Sequence, residues 1–290
     1  MTTGDDTAVR PAAADIGRSY EDMAGLTETI GGPDLHYGYW DGPRDPAAVP
    51  AATRRLTDLV VERLRAAPGD LVLDAGCGNG LAAVRIAETT GARVVAVDVN
   101  PAALERGVRH AREHGVEDLV EFRRADALAL PYGDGTFDAA LAFEITPHFE
   151  LLPLLGELTR VLRTGGRLVL ESPCLLEPAA DPEAAARVRA YLDMFAAGHM
   201  HTARAHLEAF HDAGLRLLEY LDLSEHTAPF FPRMLHRLER HRADLVDRYG
   251  SAAVERERRT IAGWARVPGS GSVLLAGAAP DAERPPDARE

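Results

Sequence analysis

The feature that most narrows what this chain can fold into is one continuous stretch. Leu71-Val72-Leu73 runs into Asp74-Ala75-Gly76-Cys77-Gly78-Asn79-Gly80, and Leu81 to Thr90 then takes up a helical period. A short apolar run of this kind suits a strand buried on both faces, and the spaced glycines let the backbone turn tightly into the helix. Arg93 to Val97, a β-branched run, follows at once and completes a βαβ unit. Two strands joined through a helix must lie parallel in one sheet.

The alternation persists on both sides of this unit. Ahead of it, Thr53 to Ala66 carries Leu56, Leu59, Val60 and Leu64 on one stripe and ends at Pro68-Gly69. Behind it, Asn100 caps a helix that begins at Pro101 and closes at Gly115, and Val120 to Arg123 reads as the third strand. Phe137 to Phe143, the amphipathic Leu151 to Leu162 and Arg167 to Leu170 give strand, helix and strand again. Helices near Pro182–Ala197 and Thr202–Ala213, a strand at Leu215–Leu223, helical stretches Pro229–Tyr249 and Ala252–Trp264 and a last strand at Ser272–Ala276 complete the chain. The sum is an α/β fold with a doubly wound, mostly parallel, seven-stranded Rossmann-like sheet. The expected division is a flexible tail over 1–17, an N-terminal lid over 18–52, a main domain over 53–278 and a second tail over 279–290. Cap elements at about 174–200 and 225–268 should cover the carboxyl edge of the sheet.

Composition excludes several classes of function. With 45 acidic residues against 32 basic ones the formal charge is −13, which leaves no basic face for nucleic acid or anionic lipid. All the basic residues are arginines. Cys77 and Cys174 form no ligand-like pair, in keeping with a reducing cytoplasmic setting. The N-terminus has no apolar signal region, and no run approaches the length of a membrane span. A small-molecule partner is expected, and a homodimer stays open.

The glycine loop presents backbone N–H groups at a helix N-terminus, where an anion can bind. A dinucleotide site would place a glycine where Leu81 stands, so a smaller anion such as a carboxylate fits better. Asp98, at the end of the second strand, is placed to accept from ribose hydroxyls. Asp126, after the third strand, is placed to accept from the amine of an adenine. A carboxylate, a ribose and an adenine together describe one ligand.

On these motifs, with Phe137–Phe149, Arg160-Val161-Leu162-Arg163-Thr164-Gly165-Gly166 and Leu35-His36-Tyr37-Gly38-Tyr39-Trp40, the chain resembles the class I S-adenosylmethionine-dependent methyltransferases over roughly 20–277. The similarity runs to the branch that decorates small natural products in bacterial secondary metabolism. The resemblance implies S-adenosyl-L-methionine as cofactor, with Ala75, Gly76 and Gly78 at its methionine part, Asp98 at the ribose, and Asp126 with Ala127 at the adenine. Tyr20, Asp74, Asn79, Gly80, Val99 and Phe143 are expected beside them. Thr164 stands where the family commonly has Pro.

A methyl sulfonium reacts without a metal, provided a nucleophile is aligned and water excluded. Three residues at strand ends are candidates for the chemistry. His148 is the expected general base toward an acceptor hydroxyl, and similar methyltransferases carry a His there. Glu171 is expected to orient its imidazole. Glu144 is the alternative base, for proton removal after methylation of an isoprenoid carbon. His36, Tyr37, Trp40, His226 and Phe230 are expected to meet the acceptor. A divalent ion on His148, Glu171 and His226 would stabilise an enolate for carbon methylation, but their spacing carries no ligand pattern and no metal is expected. The resulting expectation is methyl transfer to a hydroxyl of a sugar, polyketide or related acceptor, with carbon methylation of an isoprenoid, aromatic or enolisable acceptor as the alternative.

Overall fold

Alternate residues of the inner strands face opposite ways, and this places the core. Val72, Val94, Leu141 and Val169 join one apolar cluster, whereas Leu73, Val95, Ala140 and Leu168 join another on the other side. Both faces of the sheet are therefore covered, as parallel sheets require. The computed structural model of the chain describes residue 26, residues 29–34 and residues 36–280. Tyr20, the tail expected over 1–17 and residues 281–290 lie outside the described residues.

Seven strands form the sheet: β1 (Leu71–Ala75), β2 (Arg93–Asp98), β3 (Val120–Arg124), β4 (Phe137–Phe143), β5 (Leu162–Leu175), β6 (Arg216–Asp222) and β7 (Ser270–Ala278). Their order is β3-β2-β1-β4-β5-β7-β6, parallel from β3 to β5, with β7 antiparallel to both β5 and β6. The chain leaves β1 toward one edge and returns on its other side as β4. The carboxyl ends of these two strands thus flank the switch point at which open α/β sheets bind ligands.

Among the described residues from Val49 on, the α-helices are α1 (Val49–Leu64), α2 (Leu81–Thr90), α3 (Pro101–Glu113), α4 (Leu151–Val161), α5 (Pro182–Met194), α6 (Ala203–Asp212), α7 (Ser224–Thr227), α8 (Phe230–Arg240), α9 (Arg242–Tyr249) and α10 (Ser251–Trp264). Asn100 caps α3, its side chain accepting from the N–H groups of Ala102 and Ala103. Helix α1 starts before the expected Thr53, because Pro50 supplies the fixed φ of a first helical turn. The single stretch expected over Pro229–Tyr249 is two helices that meet at His241.

Strand β5 is the largest departure. It starts at Leu162 rather than Arg167 and continues to Leu175, because β4 pairs with it on one side and β7 runs along it from Arg167 to Leu175 on the other. Ala279, expected in the frayed tail, is buried and donates its N–H to the carbonyl of Gly166 at 2.8 Å.

Candidate active site

The glycine loop and the acid at the end of β2 form one hydrogen-bonded unit. Gly76 and Cys77 donate their N–H groups to the carbonyl of Val97 at 2.8 and 2.9 Å. Gly78 N–H then donates to Asp98 Oδ2 at 2.9 Å, and Asn100 N–H to Oδ1 at 2.8 Å. Positive φ values of 71°, 53° and 77° at Gly76, Gly78 and Gly80 are what the loop requires, and side chains rarely adopt them. Gly80 and Gly107 also let Phe122 pack against the turn, so Gly80 serves the fold and does not line the cavity.

Asp74 stands behind the loop, 1% exposed, and its Oδ2 has no hydrogen-bond partner. Burial, with the nearby Asp98 charge second, pushes its carboxyl up to about 7. Asp98 is also raised by burial, against the pull of the Asn100 and Gly78 N–H groups. A buried carboxyl short of a donor, beside a cradle of backbone N–H groups, fits a ligand carrying both an ammonium and a carboxylate. Asp98, with both oxygens held in place, keeps further lone pairs for a diol.

These groups open onto a cavity of about 210 Å³. Of the residues expected at the cofactor, it brings together Asp74, Gly76, Gly78, Asn79, Asp98, Val99, Ala127 and Phe143. Ala75 is a fully buried strand residue behind this surface. Asp126 does not line the cavity; its Oδ1 accepts from Leu128 N–H at 3.0 Å, and its neighbours Ala125 and Ala127 form the wall.

His148 closes a short 3-10 turn, Thr146–His148, directly beyond β4. Its ring belongs to the cavity wall and is 8% exposed. The turn is clamped from the 198–206 segment. Gly198 and His199 N–H groups donate to Pro147 O at 3.0 and 2.9 Å, and the His201 ring donates to Phe149 O at 2.9 Å. Beneath it, Thr146 Oγ1 bonds both Ser172 Oγ and, at 3.3 Å, His206 Nε2. His206 Nδ1–H must donate to the Thr202 carbonyl at 2.9 Å, which leaves Nε2 as acceptor for the threonine hydroxyl. Burial holds His206 down at about 4, so this ring is neutral near pH 7.

Two further carboxyls sit at the ends of adjacent strands. Glu144 lines the cavity with φ +54°, its Oε1 accepting from Tyr37 N–H at 2.7 Å. Glu171 is fully buried, and its Oε1 accepts from Ser272 on β7 while Oε2 has no hydrogen-bond partner. Glu171, expected to orient the His148 ring, instead holds Ser272 through Oε1, and no hydrogen bond between Glu171 and that ring is found among the described contacts. Burial raises both carboxyls, Glu171 to about 8 and Glu144 well above its ordinary value with the Glu171 charge adding to it.

Of the expected acceptor residues, His36, Tyr37 and Phe230 line the cavity. Trp40 and His226 do not. Trp40 is fully buried and donates its indole N–H to Ala47 O at 2.9 Å. His226 stacks on Tyr39 at 4.3 Å and donates to the Trp40 carbonyl at 2.8 Å, so the pair fastens the N-terminal segment to α7. Among the described residues no group of three or more His, Cys, Asp or Glu side chains is placed to hold a metal ion. Sequence reasoning missed Tyr191, Met234, Arg106 and Glu257, all of which line the cavity. The readable signal for Glu257 was a lone charge on the apolar stripe of α10.

The comparisons with known proteins agree with this geometry. A family model described as "Methyltransferase domain" matches residues 72–166. The chain is 34% identical over 275 residues to the 27-O-demethylrifamycin SV methyltransferase of Amycolatopsis mediterranei (strain S699), covering 94% of this chain and 99% of that protein. It is 32% identical over 222 residues to O-methyltransferase resE of Aspergillus sclerotiorum, covering 76% and 83%. Among solved structures it matches geranyl diphosphate C-methyltransferase from Streptomyces coelicolor A3(2), in complex with Mg2+, geranyl diphosphate and S-adenosyl-L-homocysteine, with a TM-score of 0.74, 26% identity and coverage of 94% and 99%. The loop, the two acids and these relatives converge, and the chain belongs to the class I S-adenosylmethionine-dependent methyltransferases.

Proposed function

We propose that this methyltransferase acts on a hydroxyl of a small natural-product acceptor, a sugar, polyketide or related molecule, with His148 as general base. The observation that carries the reading is the placement of His148. Its ring shares one cavity wall with the glycine loop and the apolar side chains of α5, α8 and α10, in a turn held from three directions.

When bound, S-adenosylmethionine supplies an electrophilic methyl group and a neutral thioether leaving group. Asp98 and the Gly76–Gly78 backbone hold and orient the nucleoside and amino-acid parts, and the apolar wall excludes water. An alcohol pKa of about 16 against about 6.5 for imidazole makes full prior deprotonation cost about 13 kcal/mol. His148 therefore takes the hydroxyl proton as the carbon–oxygen bond forms, which requires only hydrogen-bond reach. The names of the rifamycin and resE relatives support oxygen as the acceptor atom.

A second reading, methylation of carbon, draws support from Glu144. Its carboxyl faces the same cavity from a left-handed backbone position and would accept the proton lost after transfer. The test is turnover with S-adenosylmethionine isotopically labelled at the methyl, over hydroxylated macrolides, sugars and isoprenoids. Label on oxygen is the expected result; label on carbon would overturn the reading.

A further inference from the structure

We propose that Thr146 and His206 are positioning residues: as a buried hydrogen-bonded pair they fix where the His148 ring stands against the cofactor loop. The proposal deepens the preceding reading and rests on it for the role of His148.

The 3-10 turn and Ile145 before it meet three different surroundings. Ile145 packs on the cofactor loop, where a Cβ added to Gly76 would lie 2.5 Å from Ile145 Cγ2. His148 lines the cavity. Thr146, between them, is fully buried with Ser172 of β5 and His206 of α6. The Thr202 carbonyl takes the Nδ1 proton of His206 at 2.9 Å, so His206 Nε2 takes the proton of Thr146 at 3.3 Å. Thr146 Oγ1 in turn accepts from Ser172, whose Oγ also reaches the Pro173 carbonyl at 2.9 Å.

Stability alone does not call for this trio. The residues flanking it on each element, Ile145, Leu170, Cys174, Ala209 and Phe210, belong to one apolar cluster. Apolar groups of similar shape in place of both partners of a buried hydrogen bond are nearly neutral or even stabilising. What a fully satisfied buried network adds is a single geometry. A threonine hydroxyl held on two sides fixes the rotamer of Thr146 and with it the register of the turn that carries His148. A misplacement of about 1 Å at a reacting group costs about 10²-fold in rate.

The test compares wild type with Thr146→Val/His206→Leu, which makes both partners apolar together. Ser172 keeps the Pro173 carbonyl in this variant, and the Thr202 carbonyl keeps the backbone N–H of position 206. Its urea midpoint should stay near that of wild type, so that folded proteins are compared. Both proteins are labelled with 13C at histidine Cε1 and saturated with S-adenosylhomocysteine. The His148 signal, identified by its absence from His148→Ala, should be single and sharp in wild type and split or broadened in the variant. With a hydroxylated macrolide, sugar or isoprenoid that takes the labelled methyl on oxygen, kcat should fall at least about tenfold while KM stays within about threefold. Adding the two substitutions to His148→Ala should cost nothing further, and Thr146→Ser, which keeps the hydroxyl, should behave as wild type. A His148 signal as sharp as in wild type, an unchanged kcat, or the same loss of kcat in the His148→Ala background would overturn the proposal and leave the hydroxyl reading standing. Near-normal turnover in His148→Ala would defeat that reading and the proposal with it. If the double variant does not fold, Thr146→Val alone is read by the same signal and the same kcat, with the same outcomes deciding.

Discussion

Gly78 donates its backbone N–H to Asp98 Oδ2 at 2.9 Å, so the glycine loop after β1 and the acid ending β2 stand or fall together. Replacing Asp98 removes the brace of the loop and the proposed acceptor for the ribose. Asp98→Ala should weaken S-adenosylhomocysteine binding by about 1.5 to 3 kcal/mol, the scale of hydrogen bonds to a charged group. Calorimetry on the folded variant measures this, and unchanged affinity would remove the assignment.

The glycines of the loop divide by what a methyl group would meet. At Gly80, with φ +77°, a Cβ would lie 2.4 Å from Phe122 Cε1 and 3.0 Å from the Gly107 backbone. Gly80→Ala should cost about 2 to 5 kcal/mol of stability, from overpacking and a strained left-handed residue together. At Gly78 the added Cβ meets nothing within 4 Å, and the residue lines the cavity. Gly78→Ala should therefore cost only about 1 to 2 kcal/mol in stability, while S-adenosylhomocysteine affinity falls at least tenfold. Urea unfolding and calorimetry on the two variants separate the effects; equal losses of stability would contradict the division.

The buried carboxyls make stability depend on pH in a defined direction. Glu171 titrates near 8 in the folded protein against an ordinary 4.5, and Asp74 near 7 against 3.8, both held up by burial. The native state binds more protons than the unfolded one between these values, so stability falls as pH rises. The loss should run from about pH 4 to about pH 8. Glu171→Gln keeps an acceptor for Ser272 and removes one of the titrating groups, so its urea midpoint should decline less over this range. A decline as steep as wild type would contradict the assignment.

Much of the cofactor half was legible in sequence because its determinants are local. Helix α2 and strand β4 have the expected bounds, set by glycines and a turn on either side. Asp98 and Asp74 lie at or near strand ends, positions that strand length alone fixes. The acceptor half depended on contacts between distant parts of the chain. Trp40 is expected to meet the acceptor, whereas its side chain is buried off the cavity and its carbonyl accepts from His226, 186 residues away. Glu171 is expected to orient His148, whereas antiparallel β7 brings Ser272 to it, a pairing that no local pattern encodes.

In the proposed reaction His148 takes the acceptor proton during methyl transfer to oxygen. The most direct measurement of this step is steady-state turnover of His148→Ala with a hydroxyl acceptor, beside calorimetry for S-adenosylhomocysteine. The expected kcat is lower by about 10² to 10⁴ with cofactor affinity nearly unchanged, because the imidazole acts on the acceptor and not on the nucleoside. Glu144→Gln should be mild in the same assay. Near-normal turnover in His148→Ala, with Glu144→Gln severely impaired, would contradict it.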